Sequence, residues 1–218
     1  MSSLFQTIRH NAIGLGLFAT VTAGLIAVTQ VSTADRIAEA EKRARSSALL
    51  EIFPASHHDN DLLADSIQIP PSKLLGTRAP TEAFIAKKDN QPVGIILTTV
   101  SPEGYSGEIW SLVGIDSEGV ITGVRVVSHK ETPGLGDKIE ARKTDWIYGF
   151  DNKSLENPAP EGWKVEKDGG VFDQFAGATI TPRAVVDSVK NALVYFAENR
   201  DALFSTSSQE QEITDHGH

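Results

Sequence analysis

Two threonines, a glycine and an arginine crowd into one short stretch near the end of the chain, Asp173-Gln174-Phe175-Ala176-Gly177-Ala178-Thr179-Ile180-Thr181-Pro182-Arg183. Thr181 has the residue type of a helix N-cap, and Pro182 suits the first helical position, where its missing N–H costs nothing. Val185, Val189, Ala192, Leu193 and Phe196 then recur at helical spacing, which predicts an amphipathic helix reaching Asn199. A helix start preceded by Gly177, flanked by hydroxyls and followed by Arg183 gathers what a phosphate needs: free N–H groups, a positive dipole end and a cation. The stretch reads as a phosphate seat. Ordinary helix capping uses the same residue types, so corroboration has to come from elsewhere in the chain.

Other candidate ligand groups fall away. His57 and His58 are adjacent in a loop-like run, without the spacing of a chelating helix pair, and predict no metal site. The closing His216-Gly217-His218 belongs to a polar tail and is given no ligand role. The chain has no cysteine, which removes cysteine-ligated iron–sulfur clusters, thioether-linked haem, cysteinyl flavin and thiol catalysis together. Any redox chemistry must come from a cofactor held by other means. A net charge of -9 without a basic stripe argues against nucleic acid as a partner.

The elements that must position the loop follow in order. Residues 1–10 form a short amino terminus, and residues 11–31 are an uncharged, mostly apolar run long enough for a transmembrane helix. A cleaved signal peptide is the rival, with Arg9 ahead of the run and Ser32-Thr33-Ala34 after it; the length favours a retained anchor. Arg36, Lys42, Arg43 and Arg45 follow the run, so a simple count of basic residues leaves the larger part of the chain in the cytoplasm, although large domains translocate regardless of that count. Residues 32–74 read as a helical connector, stopped by Pro54, and then a loop.

Residues 75–204 read as an α+β domain of antiparallel sheet plus helices. One hairpin is expected from Phe84–Ala86 and Val93–Val100, and a second from Gly107–Ile115 and Val120–Ser128. Glu131-Thr132-Pro133-Gly134-Leu135-Gly136-Asp137-Lys138 is a turn-forming run ahead of a helix expected through Trp146 and Phe150. Trp163–Lys167 reads as a strand, Trp110 and Trp163 as core residues, and residues 205–218 as a disordered tail.

Together the Glu131–Lys138 run and the Asp173–Thr181 run resemble the FMN-binding domain of the RnfG/RsxG subunit of the Rnf/Rsx electron transport complex. A similar domain occurs in the C subunit of the sodium-translocating NADH:quinone reductase. The resemblance extends to the amino-terminal anchor and to Gly104-Tyr105-Ser106-Gly107, and so covers nearly the whole chain. It implies FMN joined through its phosphate to Thr179 by a separate flavin transferase, with Thr132 and Leu135 lining the flavin. Ala176, Gly177, Ala178, Thr181, Gly134 and Arg183 complete the expected cofactor site. The family pattern carries Ser or Thr at the position of Ala176, a loss of one neutral hydrogen bond worth roughly 1 kcal/mol.

Physically, Pro133-Gly134 suits a tight turn with glycine at positive φ, presenting N–H groups toward a flat ring. The resemblance further implies an electron-transfer subunit with no substrate of its own, working with the other membrane subunits of an ion-translocating complex. It implies a single-pass protein of a bacterial inner membrane with the FMN domain on the periplasmic side. The competing readings are a structural assembly subunit without cofactor and a noncovalent phosphate, lipid or flavin binder.

Overall fold

The computed structural model describes residues 2–215, with side chains outside the description at 2–10, at 206–215 and at a few positions between 31 and 44. The chain divides between Arg45 and Ser46 into two compact units. The first helix, α1, runs Ser2–Ile52, so the expected span and connector form one continuous helix. Within it Asn11–Ala34 has mean hydropathy 2.0 and is long and apolar enough to cross a membrane. Its threonines do not spoil that character. The hydroxyls of Thr20, Thr22 and Thr29 fold back on carbonyls four residues earlier at 2.7–2.8 Å, leaving no unsatisfied donor.

In the second unit five antiparallel strands follow one another in sheet order: β1 (Ser66–Ile69), β2 (Thr81–Lys88), β3 (Gln91–Gly104), β4 (Gly107–Asp116) and β5 (Ile121–Ser128). Asp89 and Asn90 turn the first hairpin at φ 50° and 63°, the double left-handed conformation that matches strand twist. Asp116 turns the second, its Oδ1 accepting from the N–H groups of Glu118 and Val120 at 2.9 Å. The sheet reaches back past residue 75, because β1 adds an edge strand within what the sequence presents as connector.

Each face of the sheet buries a different element. On one face Ile95, Leu97, Val113 and Val124 meet Val185, Val189 and Phe196 of the last helix, α2 (Ile180–Asp215), and buried Thr99 and Ser188 join hydroxyls at 2.9 Å. On the other face Leu49, Ile52 and Phe53 pack on Phe84, Ala86, Ile96 and Leu112. That contact needs bare backbone: a Cβ at Gly94 would lie 2.5 Å from the Phe53 ring, and one at Gly114 would lie 2.3 Å from Ile52 Cγ2.

Three expectations change. From Gly136 to Phe150 the chain forms two short 3-10 turns, Gly136–Ile139 and Asp145–Phe150, in place of a longer helix. Trp163–Lys167 is no strand; Val165 makes one isolated bridge to Phe172, and Glu166–Asp168 curls into another 3-10 turn ahead of Gly169 at φ 86°. The backbone of α2 continues to Asp215, beyond both Asn199 and the expected start of the tail, through a Gln/Glu-rich run of good helix formers. His216–His218 lie outside the described residues.

Candidate functional site

The loop ahead of α2 is held at its near end by aromatic rings. Phe172 stacks on Phe150 with centroids 4.6 Å apart, and Phe175 meets Trp146 edge-on at 5.2 Å. The Trp146 indole N–H donates to the Asp173 carbonyl at 2.9 Å. The chain then reverses in a β-turn closed by the Ala178 N–H on the Phe175 carbonyl at 3.1 Å. Gly177 takes φ 81° there, where a side chain would be strained. Ala176 and Gly177 are exposed, and Ala178 and Thr179 are half-buried.

The helix begins at Ile180, two residues earlier than the sequence pattern suggests. Thr179 therefore occupies the cap position, and Pro182 is the third helical residue. Thr181 does not cap. It is fully buried, and its hydroxyl donates to the Glu131 carboxylate at Oε2. Among the described residues Thr179 Oγ1 makes no hydrogen bond, beside first-turn N–H groups that a helix leaves without internal partners. The two hydroxyls are thus separated by environment: one is consumed inside the fold, the other is available.

Glu131 draws the second run to the loop. It is 4% exposed, and its Oε1 accepts from the Ser106 N–H at 2.9 Å while Oε2 takes Thr181. Gly136 passes so close that a Cβ there would lie 2.8 Å from Glu131 Oε2 and 2.9 Å from Thr181 Oγ1. Leu135, exposed, reaches across to Gly177, its Cδ2 standing 3.6 Å from where a Cβ on that glycine would be.

The Pro133-Gly134 turn adopts the left-handed glycine, φ 79°, but does not offer its N–H groups outward. Those of Leu135 and Gly136 both return to the Thr132 carbonyl at 3.1 Å, and that of Gly134 donates to Asp137 Oδ1 at 2.7 Å. What the turn presents is side chains, with Thr132, Pro133 and Leu135 exposed. Burial pushes the Asp137 carboxyl up, yet the Lys143 ammonium and the Gly134 N–H outweigh it and hold the group below the usual aspartate range.

Behind the turn runs a polar chain. The Glu131 N–H can only donate, so His129 Nδ1 accepts it at 3.0 Å and the imidazole proton sits on Nε2, facing Glu140 Oε1 at 3.0 Å. The Arg142 guanidinium bonds Glu140 and, against its partial burial, keeps that carboxyl below its ordinary range with help from His129.

Arg183 does not stand free for an anion. Its Nε and Nη2 hold both oxygens of Asp168 at 2.5 and 2.7 Å, and this pairing lowers the Asp168 pKa. Lys138 and Lys153, together with Asp145 and Asp173, line a cleft of about 620 Å³ with Trp146, Phe175, Gln174 and Ala176, within the usual size of a small-molecule site. Lys138 Nζ lies 6.0 Å from the Phe175 ring centroid. Trp163 is core, as its 1% exposure shows, whereas Trp110 is 36% exposed on the sheet.

Residues 104–194 match the FMN-binding domain family, and residues 1–52 match the RnfG N-terminal region. The G subunit of an ion-translocating oxidoreductase complex from Pseudomonas aeruginosa is 52% identical over 200 residues, 92% of this chain and 94% of the relative. The chain belongs to the RnfG family. The corresponding G subunits from Vibrio parahaemolyticus and Pseudoalteromonas atlantica are 45% and 42% identical, covering 93% and 94% of this chain and 95% of each relative. The match to the FMN-binding domain family runs from the β3–β4 turn into α2, so both runs and the Glu131 junction of this RnfG-family protein fall inside it.

The residues present suit FMN. An unengaged hydroxyl stands at a helix start, next to a glycine turn and exposed Leu135, with lysines on the neighbouring cleft. Trp146, Lys138 and Glu131 were not assigned to the site from sequence, although all three lie in or just after the turn-forming run that carries Thr132 and Leu135.

Proposed function

We propose that this RnfG-family protein is a membrane-anchored flavoprotein that passes electrons through FMN esterified to Thr179, as one member of a complex with further membrane subunits. The observation that carries the reading is the contrast between the two threonines: Thr181 Oγ1 is buried on Glu131, and Thr179 Oγ1 is half-buried and unengaged. Condensing free FMN with an alcohol releases water and runs uphill in water, so the donor must carry an activated phosphate. A flavin dinucleotide has one. Thr179 Oγ1 forms the new P–O bond as the pyrophosphate bond breaks, the hydroxyl proton is lost, and a nucleoside monophosphate leaves, under a separate flavin transferase.

The phosphodiester so formed keeps a negative charge beside the positive end of α2. Ala176, Gly177 and Ala178 would let it lie close to backbone, and Lys138, in the cleft beside Ala176, would offer the cation that Arg183, held by Asp168, does not. Thr132 and Leu135, exposed on the Pro133-Gly134 turn, would line the ring. Bound FMN supplies the electron chemistry; the chain fixes its place and leaves an edge open to donor and acceptor. The 11–31 run carries no charged residue, so the span serves as an anchor and not as an ion path. The anchor lies in a bacterial inner membrane with the FMN domain on the periplasmic side.

The test is a denaturing gel of the full-length protein coexpressed with a flavin transferase. In-gel flavin fluorescence is expected in the wild type, absent in Thr179→Val and still present at the end point in Thr181→Val. Fluorescence lost only in Thr181→Val would move the acceptor, and flavin released on denaturation of the wild type would make the binding noncovalent. A reporter fused after residue 218 that is active only in the cytoplasm would reverse the topology.

A further inference from the structure

Glu131 is a buried carboxyl group that makes no ion pair among the described residues. Among the described residues its side chain bonds only the Ser106 N–H and the Thr181 hydroxyl. A buried carboxyl group is costly unless its oxygens are hydrogen-bonded, and here both are engaged. What this carboxylate does is join three segments far apart in sequence: the Gly104–Gly107 hairpin tip, the Thr132–Gly136 turn and the first turn of α2. Bare backbone closes around it on both sides. A Cβ at Gly104 would lie 3.0 Å from Oε1, and one at Gly136 would lie 2.8 Å from Oε2.

Thr181 follows Thr179 by two residues on the same tightly turned backbone. From the other direction Leu135, four residues after Glu131, rests against Gly177. The loop between Phe175 and Thr181 is therefore clamped at both ends, by rings at Phe175 and by the carboxylate at Thr181, with the free hydroxyl between the clamps.

We propose that Glu131 is a positioning residue for flavin attachment: acting through Thr181, it holds the Thr179 hydroxyl in the orientation that the phosphoryl transfer requires, without touching the flavin. The inference rests on Thr179 as the attachment site. Its chemistry is geometric, since a displacement at phosphorus needs the attacking oxygen in line with the leaving group, and a shift of about 1 Å at a reacting atom costs up to roughly 10²-fold in rate.

The experiment uses the full-length protein purified in detergent without its flavin, mixed with a flavin transferase and flavin adenine dinucleotide. The initial rate of covalent fluorescence is read at a temperature where each variant is folded by circular dichroism. Glu131→Ala and Thr181→Val are expected to slow the rate by about 10- to 100-fold. Thr181→Ser, which keeps the donor, restores it, and Glu131→Gln, which keeps one acceptor, falls between. A purely structural role would lower the melting temperature of these variants and leave the rate unchanged in the folded range. That result, or a wild-type rate in Thr181→Val, overturns the proposal. If Glu131→Ala does not fold, Thr181→Val decides, because it removes one hydrogen bond and little volume. Fluorescence surviving in Thr179→Val would instead refute the attachment site itself and leave the rate comparison without its premise.

Discussion

Gly134 and Gly136 stand two residues apart in one motif, and the structure gives them opposite reasons for being glycine. At Gly134 the surroundings are open, with nothing within 4 Å of where a methyl would stand, but φ is 79°. At Gly136 no left-handed conformation is involved; the obstacle is space, with Glu131 Oε2 at 2.8 Å, Glu131 Cβ at 2.9 Å and Thr181 Oγ1 at 2.9 Å from a Cβ. Gly134→Ala therefore costs the left-handed strain of an alanine, about 1–2 kcal/mol, less about 0.4–1 kcal/mol regained from a stiffer unfolded chain. The net is about 1 kcal/mol.

Gly136→Ala meets overpacking of about 1–3 kcal/mol and wedges apart a hydrogen bond to a carboxylate worth about 1.5–3 kcal/mol, against the same unfolded-state gain. Its net is about 3 kcal/mol, so the two variants differ by about 2 kcal/mol. For a domain of this size that is about 4–8 °C in Tm. Urea unfolding followed by tryptophan fluorescence, with thermal melts alongside, measures the gap. Equal costs, or a greater loss at Gly134→Ala, would refute the packing of Gly136 against the Glu131–Thr181 pair.

Three further outcomes are expected. Phe53→Ala removes a ring that is 2% exposed and packs against Gly94, and should cost about 3–5 kcal/mol in urea unfolding; a cost under about 1 kcal/mol would mean that the end of α1 is not part of the core. Asp168 has its folded pKa lowered by Arg183, so its stabilisation is present above the ordinary aspartate value and is lost as pH falls through the lower folded one. The difference in urea midpoint between wild type and Asp168→Asn should therefore shrink from about pH 5 downward, and a constant difference would show that the pair contributes nothing electrostatic. Asp151 is the opposite case: burial raises its pKa against the partial relief of Arg125, and Oδ1 has no hydrogen-bond partner among the described residues. A raised carboxyl favours the fold below its unfolded pKa and loses that as pH rises through the folded one, so Asp151→Asn should raise Tm at pH 7 and not in acid.

The amino-acid sequence by itself determined the elements whose signals are local. An uncharged apolar run long enough for a bilayer, alternating strands broken by turn residues, and a period of 3.6 after Thr181 each follow from near neighbours, and α1, β2–β5 and α2 appear where those patterns lie. The pairing of the Glu131–Lys138 run with the Asp173–Thr181 run was also legible, through resemblance. Contacts between distant segments decided the rest. The four residues of β1 are too few to announce a strand until β2 is there to pair with them. The start of α2, the employment of Thr181 and the loss of Arg183 to Asp168 depend on a carboxylate 50 residues upstream of Thr181 and another 15 upstream of Arg183. Local capping rules see only the residues around a helix start. Which of two neighbouring hydroxyls stays free is settled by whatever the fold brings against them.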